Sequence, residues 1–483
     1  MNRRDFLKTT AMLGMGLTGT RLFASGSDIS FLSGMDLGAR AFDADAVAFN
    51  SLSASQVPRY INVFLYGGPS ELAANLTNIE DISNNSQNAY PSAMLTDVAS
   101  GGQITNNGFW LNAGGDIMES LLASGDMTVY RTMNRIKDDN KGHGASVTQN
   151  LIGSMDTTNP GIATTLAWIL ANNNPFSKSV DELLFPFVSF EGESTVFNQG
   201  NVTTPLSTKP ISLNSNLQNP YQRSDSGPSF LDSGSSEDLA LDALASSMNA
   251  AANNSDVSHS LEKRGELAAQ IATMLDPTAI DNSIANYNLT LPVDAQITYE
   301  NTNFGRRMKA AVSLALANDE TVFISLGSGG LGGWDDHSEA LDEYPARMAQ
   351  LMRAVQAGIR HIEAAHTAGI GHARNIIINV YGDFGRNVNL NNSMGWDHGN
   401  NQNLFTFGGR NIVGRGLGKI VGATERTGTS GVNRQYTTPT ATSYQFEPYA
   451  LASSIYQNFG VTNPRAITGE DAIDESATGE TLV

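Results

Sequence analysis

Cysteine is absent from this 483-residue sequence, so disulfide bonds and thiolate chemistry are both excluded. Charged residues are scarce, at 16% of the chain, where about 25% is typical of soluble domains. Their balance is negative, with a formal net charge of −19, which makes nucleic acid and anionic membrane surfaces poor partners. Long apolar runs are also missing, because no segment reaches the roughly 18 consecutive apolar residues of a transmembrane anchor. The sequence therefore predicts a soluble protein that binds neither nucleic acid nor the membrane.

The first 24 residues have the pattern of an export signal. In NRRDFLKTTAMLGMGLTGTRLFAS, the pair Arg3 and Arg4 precedes a short, weakly apolar stretch and a small-residue exit near Ala24. This pattern resembles a twin-arginine signal peptide and is too short and too polar for a transmembrane helix. We therefore predict recognition by the twin-arginine translocase and a periplasmic or secreted location, with residues 25–56 as a polar leader.

Short apolar runs predict buried strands at Tyr60–Tyr66, Met127–Met133, Phe185–Phe190, Thr321–Leu326 and Asn375–Tyr381. They lack polar alternation, as expected where helices cover both faces of a sheet. Between the last two strands, apolar residues recur at three- and four-residue steps from Leu341 to Ile362, which predicts a long amphipathic helix. Strand, helix and strand in this order form a unit with parallel strands. The sequence therefore predicts an α/β fold whose mostly parallel central sheet is flanked by helices on both faces.

The predicted domain organisation is a single domain over residues 57–460. From 191 to 292 the composition shifts to Asn, Ser and Pro without a strand set of its own, so we interpret this stretch as a polar insertion or cap over the sheet. The acidic residues in 461–483 predict a solvated tail.

Polar clusters follow the predicted strands. GGPSE follows the first, NRIKDDNKGHG the second, GGWDDH the fourth and GDFGR the fifth, with GWDHG just downstream. Because the carboxyl ends of parallel strands share one edge of a sheet, these clusters should converge there. Carboxylate and imidazole groups are ligands of divalent cations, so we predict one bound metal ion, Zn, Mn or Ca. The predicted ligands are Asp335, Asp336, His337, Asp383 and His398.

The turn GGWDDH leaves the roles of its two aspartates open. In an extended segment Asp335 and His337 point the same way, which leaves Asp336 to cap the following helix. Alternatively, the turn aims Asp336 inward. His143 is predicted to reach the same edge as a general base or an extra ligand. The residues expected to contact the substrate are Ser70, Arg386 and Asp397.

Taken in order, the export signal and the motifs GGPSE, HGASVTQNLIG, GGWDDH, GDFGR and WDHG resemble the exported domain of unknown function 1501 family. The resemblance extends from about Tyr60 to Gly409 and on to the last helix near Tyr449. It implies an alkaline phosphatase-like fold, shared with sulfatases and phosphomutases. That family has no settled activity, so the resemblance implies a fold and a site rather than a reaction.

The two-metal plan of that superfamily is only partly matched here. The resemblance places Gly68 where a metal-binding Asp ends the first strand, and His143 where a hydroxyl or modified cysteine acts as the nucleophile. It places Phe384 where a ligand His follows an Asp, here Asp383. It therefore implies that one metal site is kept, while the second metal site and the nucleophile are lost.

Three functions are consistent with these observations. The first is a metal-dependent hydrolase of phosphate, sulfate or carbohydrate esters, acting on a small anionic or carbohydrate substrate. The second is a non-catalytic periplasmic or surface binding protein on a degraded hydrolase scaffold, since a fold does not guarantee a function. The third is assembly with another exported protein, which the polar insertion could contact.

Overall fold

The structure, a computed structural model, describes residues 47–76, 90–137, 141–200, 210–213, 269–428 and 435–477, with a few isolated positions besides. The predicted export signal and most of the polar leader lie outside the described residues, as does most of the predicted insertion. Those predictions stay predictions.

Eight of the strands in the described residues form one sheet. In chain order the strands are β1 (Arg59–Leu65), β2 (Met127–Asn134), β3 (Phe187–Ser189), β4 (Ile211–Ser212), β5 (Phe323–Gly327), β6 (Ile376–Gly382), β7 (Gly385–Leu390), β8 (Trp396–Gly399), β9 (Asn401–Gly408), β10 (Lys419–Val421), β11 (Thr424–Gly428) and β12 (Gln435–Pro439). The sheet order is β10-β2-β9-β6-β1-β5-β3-β4, and β7–β8 and β11–β12 form two separate hairpins. All five predicted strands are therefore present.

The sheet is mostly parallel, as predicted. Strand β1 lies between β5 and β6 and is parallel to both. Strand β9, which we did not predict, is inserted between β2 and β6 and runs antiparallel to both. Two antiparallel pairings in a row leave β2 and β6 running in the same direction, so the carboxyl ends of β2, β5 and β6 share one edge.

The helices in the described residues are α1 (Gly115–Ala123), α2 (His143–Ile152), α3 (Ile162–Asn172), α4 (Pro277–Asn288), α5 (Asn303–Ala317), α6 (Ala340–Thr367), α7 (Ala450–Asn458) and α8 (Arg465–Thr468). Two hydrophobic clusters divide them between the faces of the sheet. Ile61 and Val63 of β1 pack in one cluster with α1, α5 and α6. Tyr60 and Phe64 pack in the other with α3 and α7. Successive residues of a strand point to opposite faces, so packing on both faces explains why β1 is buried along its whole length and mostly apolar.

Helix α6 is the predicted long helix between β5 and β6. It buries the predicted apolar stripe, including Tyr344, Met348, Leu351, Val355 and Ile359. It crosses from β5 to β6, the two neighbours of β1, so the loop before it ends at the centre of the sheet edge. None of the helices in the described part of the chain is long and apolar enough to cross a membrane.

The described parts of the insertion belong to the main body. Strand β4 extends the sheet beyond β3, and Ile280 and Ile284 of α4 join the core on the face of α5 and α6. The tail was expected to be solvated, and its described part is partly so, with Asp471 and Asp474 exposed. Ile467 and Ile473 are buried, and Arg415 donates a hydrogen bond of 2.6 Å to Glu475. The acids near the end of the chain are therefore partly neutralised by cations of the sheet edge.

Candidate metal centre

Four side chains from distant parts of the sequence converge at the carboxyl edge of the sheet. They are His143, Asp335, His337 and His398, and one ligand atom from each lies within 4.8 Å of the others. His143 is the first residue of α2, which follows β2, and His398 belongs to β8. Asp335 and His337 lie in the loop between β5 and α6. The predicted convergence of polar clusters therefore brings together three predicted ligands and His143.

The distances among the four suit one small cation. Oδ1 of Asp335 is 3.3 Å from Nε2 of His143, 3.1 Å from Nε2 of His337 and 3.8 Å from Nε2 of His398. Nε2 of His337 is 3.0 Å from Nε2 of His398. With metal–ligand bonds of about 2.0–2.1 Å, the donor atoms of a tetrahedral zinc site lie about 3.3 Å apart. Four of the six distances among these atoms, from 3.0 to 3.8 Å, are close to that separation, and all six are within 4.8 Å.

Two of the imidazoles are held through Nδ1 by an oxygen acceptor. Nδ1 of His143 is 2.8 Å from Oδ2 of Asp383, and Nδ1 of His398 is 2.6 Å from the backbone oxygen of Lys141. A carbonyl or carboxylate oxygen accepts a proton from Nδ1, which leaves the lone pair on Nε2. This is how metal-ligating histidines are usually oriented.

The third imidazole has a similar neighbour. Nδ1 of His337 lies 3.4 Å from Oδ1 of Asp397. The side-chain amide of Asn391 donates to that same carboxylate at 3.3 Å and to the backbone oxygen of His337 at 3.0 Å. Asp397, which we predicted as a substrate contact, is placed to orient a ligand.

One imidazole nitrogen of the cluster has no hydrogen-bond partner, and a bound cation would satisfy it. Nε2 of His143 is buried and has no hydrogen-bond partner in the described part of the chain. Leaving such an atom unsatisfied costs about 1–3 kcal/mol. Nε2 of His337 lies 3.0 Å from Nε2 of His398 and 3.3 Å from Nη1 of Arg386, so these two imidazoles have hydrogen-bond partners without an ion. A divalent ion among the four would satisfy Nε2 of His143, so these residues fit a metal.

The electrostatic environment favours the ligand forms of these groups. Burial raises the pKa of Asp335, but the hydrogen bond and positive charge of Arg386 outweigh it and hold that pKa below its usual value. Burial, with the positive charge of Arg386, lowers the pKa of His398 to about 4. Near neutral pH the carboxylate is therefore ionised and the His398 imidazole is neutral, as metal binding requires.

Arg386, which we predicted as a substrate contact, is buried and hydrogen bonds to several loops of the site. Its side chain is 0% exposed. It donates to the backbone oxygens of Gly68 at 2.6 Å and Trp396 at 2.9 Å, and to Oδ1 of Asp335 at 2.6 Å. Because its donors are engaged within the protein, Arg386 ties the loops after β1 and β5 to the β7–β8 hairpin and has little left for a ligand.

Asp336 lies outside the cluster, contrary to its place among the predicted ligands. Its buried carboxylate forms an ion pair with Arg347 of α6, and burial raises the pKa of Asp336 despite that pairing. It does not cap α6, whose N-cap residue is Glu339 in a left-handed conformation. Of the two alternatives for the turn, Asp335 is therefore the residue that faces the site.

Asp383 lies behind the cluster instead of in it. It follows β6 and is fully buried, and the backbone N–H of Gly67 donates to its carboxylate at 3.2 Å. Burial raises the pKa of Asp383, although the hydrogen bond and charge of His143 oppose this. The predicted ligand is thus placed as the residue that orients His143.

Ser70 does not present its hydroxyl to the cluster. The residue is 4% exposed, and its Oγ accepts a hydrogen bond from the backbone N–H of Leu72 at 3.3 Å. Its backbone oxygen accepts another from the hydroxyl of Tyr344 at 2.6 Å. The glycine turn after β1 therefore uses Ser70 for its own structure, and the predicted substrate contact is not supported by this geometry.

Phe384 and the carbonyl of Lys141 contribute to the site in ways that the sequence did not predict. The Phe384 ring is fully buried, with its centroid 4.8 Å from that of His143 and 4.4 Å from that of His398. Its apolar edge closes one side of the cluster. The position of an aromatic residue next to Asp383 could have indicated that Phe384 packs against the site. The contribution of Lys141 could not be predicted, because its backbone carbonyl does not depend on the identity of the side chain.

The fold and the site together define a mixed α/β protein with a four-residue candidate metal centre at the carboxyl edge of its sheet. The chain belongs to the family described as protein of unknown function (DUF1501), whose sequence model matches residues 57–443. No curated protein matches the chain. The family resemblance seen in the motifs is confirmed. Because the function of the family is unknown, membership in it does not identify a reaction.

Proposed function

We propose that this protein is an exported hydrolase of phosphate, sulfate or carbohydrate esters, which uses one divalent metal ion on an alkaline phosphatase-like fold. The supporting observation is the convergence of three imidazole nitrogens and one carboxylate oxygen at the sheet edge. Side chains of the four are between 25% and 49% exposed, so a substrate can reach them.

Asp335, His337 and His398 are the proposed ligands. Catalytic zinc sites use three protein ligands and keep one position for water or substrate. Imidazole ligands favour Zn or Mn over Ca, which prefers oxygen ligands. A bound divalent ion would lower the pKa of a coordinated water and polarise the ester.

His143 is the proposed general base. Asp383 holds its Nδ1 proton, so Nε2 is free to accept a proton from an attacking water. The buried carboxylate also stabilises the imidazolium that forms, as in serine hydrolase triads. His143 is the first residue of α2, so the positive end of this helix is close to the site and would favour an anionic ester group.

The two serines in the motifs around the cluster, Ser146 and Ser70, are not placed to form a covalent intermediate. Ser146, one turn into α2, is 0% exposed. Ser70 is buried in the turn after β1. We therefore propose direct attack by water, in agreement with the loss of the superfamily nucleophile.

A single metal ion also fits the packing. Gly68 has a φ of +72°, and a Cβ there would collide with the Phe384 ring. These are the two positions at which the resemblance expected acidic and imidazole ligands. An apolar ring now fills the space, so the proposal includes one ion and not two.

A non-catalytic binding protein is the second candidate. All four ligand atoms lie within 4.8 Å of one another, so His143 could complete a closed four-ligand site. Structural zinc sites are closed in this way and leave no position for water.

The experiment is metal analysis of the purified mature protein, followed by a screen of phosphate, sulfate and carboxylic esters. We expect about one metal ion per chain, and we expect a chelator to abolish hydrolysis. His337→Ala should lose metal affinity by more than about 100-fold, since even residues that only orient ligands are worth 10–100-fold.

His143→Ala separates the two candidates. In the hydrolase, it should keep the metal and lower kcat/KM by about 10²–10⁴-fold. In the closed site, it should lower metal affinity as His337→Ala does. Ser146→Ala is the matched control and should retain activity within severalfold. A metal-loaded wild type without activity on any ester would contradict the hydrolase.

A further inference from the structure

An open cleft lies next to the metal cluster, at the carboxyl ends of β1, β5 and β3. Its volume is about 410 Å³, within the range of small-molecule sites. The side chains of Tyr66, Glu191 and Arg307 line it, together with the glycine-rich loop 327–332. Tyr66 directly precedes Gly67, which bonds to Asp383, and the loop continues into the segment that carries the ligands.

The glycines of the loop let two charged side chains lie directly on the backbone. A Cβ at Gly327 would collide with the carboxylate of Glu191, and a Cβ at Gly329 would collide with the guanidinium of Arg307. A larger residue at either position would displace the charged group that lies there, the Glu191 carboxylate or the Arg307 guanidinium, and would occupy part of the cleft. Backbone peptide groups of the loop therefore line one side of the cleft, and the Glu191 carboxylate and the Arg307 guanidinium lie against them.

Glu191 is held in place by hydroxyl groups and not by a cation. The Tyr66 hydroxyl donates to Oε2 at 3.0 Å, and the Ser325 hydroxyl donates to Oε1. Within the described residues no basic side chain is at ion-pair distance from it. A carboxylate has about four acceptor sites, so Glu191 retains capacity for donors of a ligand.

Arg307 is similarly available. Its hydrogen bond in the described structure goes from Nη1 to the backbone oxygen of Gly329 at 3.2 Å. A guanidinium carries five N–H donors. Most of them remain for a ligand in the cleft.

We propose that this cleft binds an uncharged sugar ring of the substrate through its hydroxyl groups. A simple anion would be attracted by Arg307 but repelled by Glu191, and a simple cation would meet the reverse, so neither satisfies both side chains. A hydroxyl group both donates and accepts, so adjacent hydroxyls satisfy the two side chains together. The inference rests on the proposed function only for the ester itself, which would extend from the sugar towards the cluster.

The test is saturation-transfer NMR on the mature protein with the methyl glycosides of glucose, galactose and mannose as probes. We expect saturable binding of at least one glycoside, unchanged after chelation of the metal. Arg307→Ala or Glu191→Gln should weaken it by about tenfold, the value of one hydrogen bond to a charged group.

Neighbouring residues provide matched controls. Arg306 is exposed and hydrogen bonds to Asn301 and Asn303 rather than to the cleft, and Glu193 is exposed. Arg306→Ala and Glu193→Gln should leave glycoside affinity unchanged. Equal losses in cleft and control variants, absence of glycoside binding, or binding of glycine or inorganic phosphate in place of glycosides would overturn the proposal.

The two proposals fail separately. Glycoside binding without hydrolysis of any ester would support the cleft and contradict the hydrolase. Hydrolysis of an ester without glycoside binding would support the hydrolase and contradict the sugar-binding cleft.

Discussion

At the scale of single residues, Asp335 and Asp336 are neighbours with opposite environments. The side chain of Asp335 is 49% exposed and faces three imidazoles, whereas that of Asp336 is 10% exposed and pairs with Arg347. The Arg347 guanidinium in turn lies 5.3 Å from the centre of the Trp334 ring. The same chemical group thus serves as a candidate ligand at one position and as an anchor for α6 at the next.

This difference predicts different losses for two matched variants. Asp335→Ala should lower metal affinity by more than about 100-fold, and it should also cost stability, because it removes the carboxylate that pairs with the buried Arg386. Asp336→Ala should keep most of its metal and lose about 3 kcal/mol of unfolding free energy, because it leaves the buried charge of Arg347 unpaired. Competition with a chromophoric chelator and urea unfolding measure the two quantities. Equal metal loss in both variants would contradict the assignment of Asp335 as the ligand.

At the scale of elements, the β7–β8 hairpin brings His398 to His337. The backbone N–H of Trp396 donates to the oxygen of Asp336 at 2.7 Å, and Ser338 forms an isolated bridge with Met394. Backbone hydrogen bonds thus join the hairpin to the loop that carries Asp335 and His337. The distance between ligands from two segments depends on this contact.

Gly395 is the point where the two segments touch most closely. A Cβ at Gly395 would collide with the backbone of His337, whereas a Cβ at Gly333 meets nothing within 4 Å. We expect Gly395→Ala to lower metal affinity by about 10–100-fold, as other changes that displace a ligand without removing it do. Gly333→Ala, in the same loop as the ligands, is the control for the same chelator titration. Similar affinity in the two variants would show that this contact does not position His337.

At the scale of the whole molecule, the candidate site is assembled from residues 143, 335, 337 and 398, with Asp383 behind them. No local stretch of chain holds all the candidate ligands, so the site exists only when the sheet has formed. Twin-arginine export of an already folded protein would therefore allow the metal to be inserted before translocation. The proposed signal lies in residues 1–24, outside the described residues.

The export proposal predicts the location of one double variant. Replacing Arg3 and Arg4 with Lys should leave the precursor in the cytoplasm, because the translocase recognises the arginine pair. Cell fractionation and immunoblotting of the full-length chain measure this, with Lys8→Arg as a control that retains the pair. Normal periplasmic accumulation of the double variant would rule out the twin-arginine route.

Much of the fold could be predicted from local patterns. Strands β1, β5 and β6 are covered on both faces, so their residues are mostly apolar, and α6 shows the spacing of a helix with one buried side. Strand β9 contains the apolar and β-branched run LFTF, which favours a strand. Its antiparallel direction has no local signature, because direction depends on which strands it joins.

The sequence by itself determined the ligand types and the edge at which they meet. Imidazole and carboxylate groups stand after the strands, and parallel strands align their carboxyl ends. Only the tertiary structure decided which groups reach the metal position. Arg347 draws Asp336 away from the cluster, and the backbone N–H of Gly67 and the ring of His143 hold Asp383 behind it. The direction of a side chain in a loop follows from partners hundreds of residues away, and no local pattern encodes those contacts.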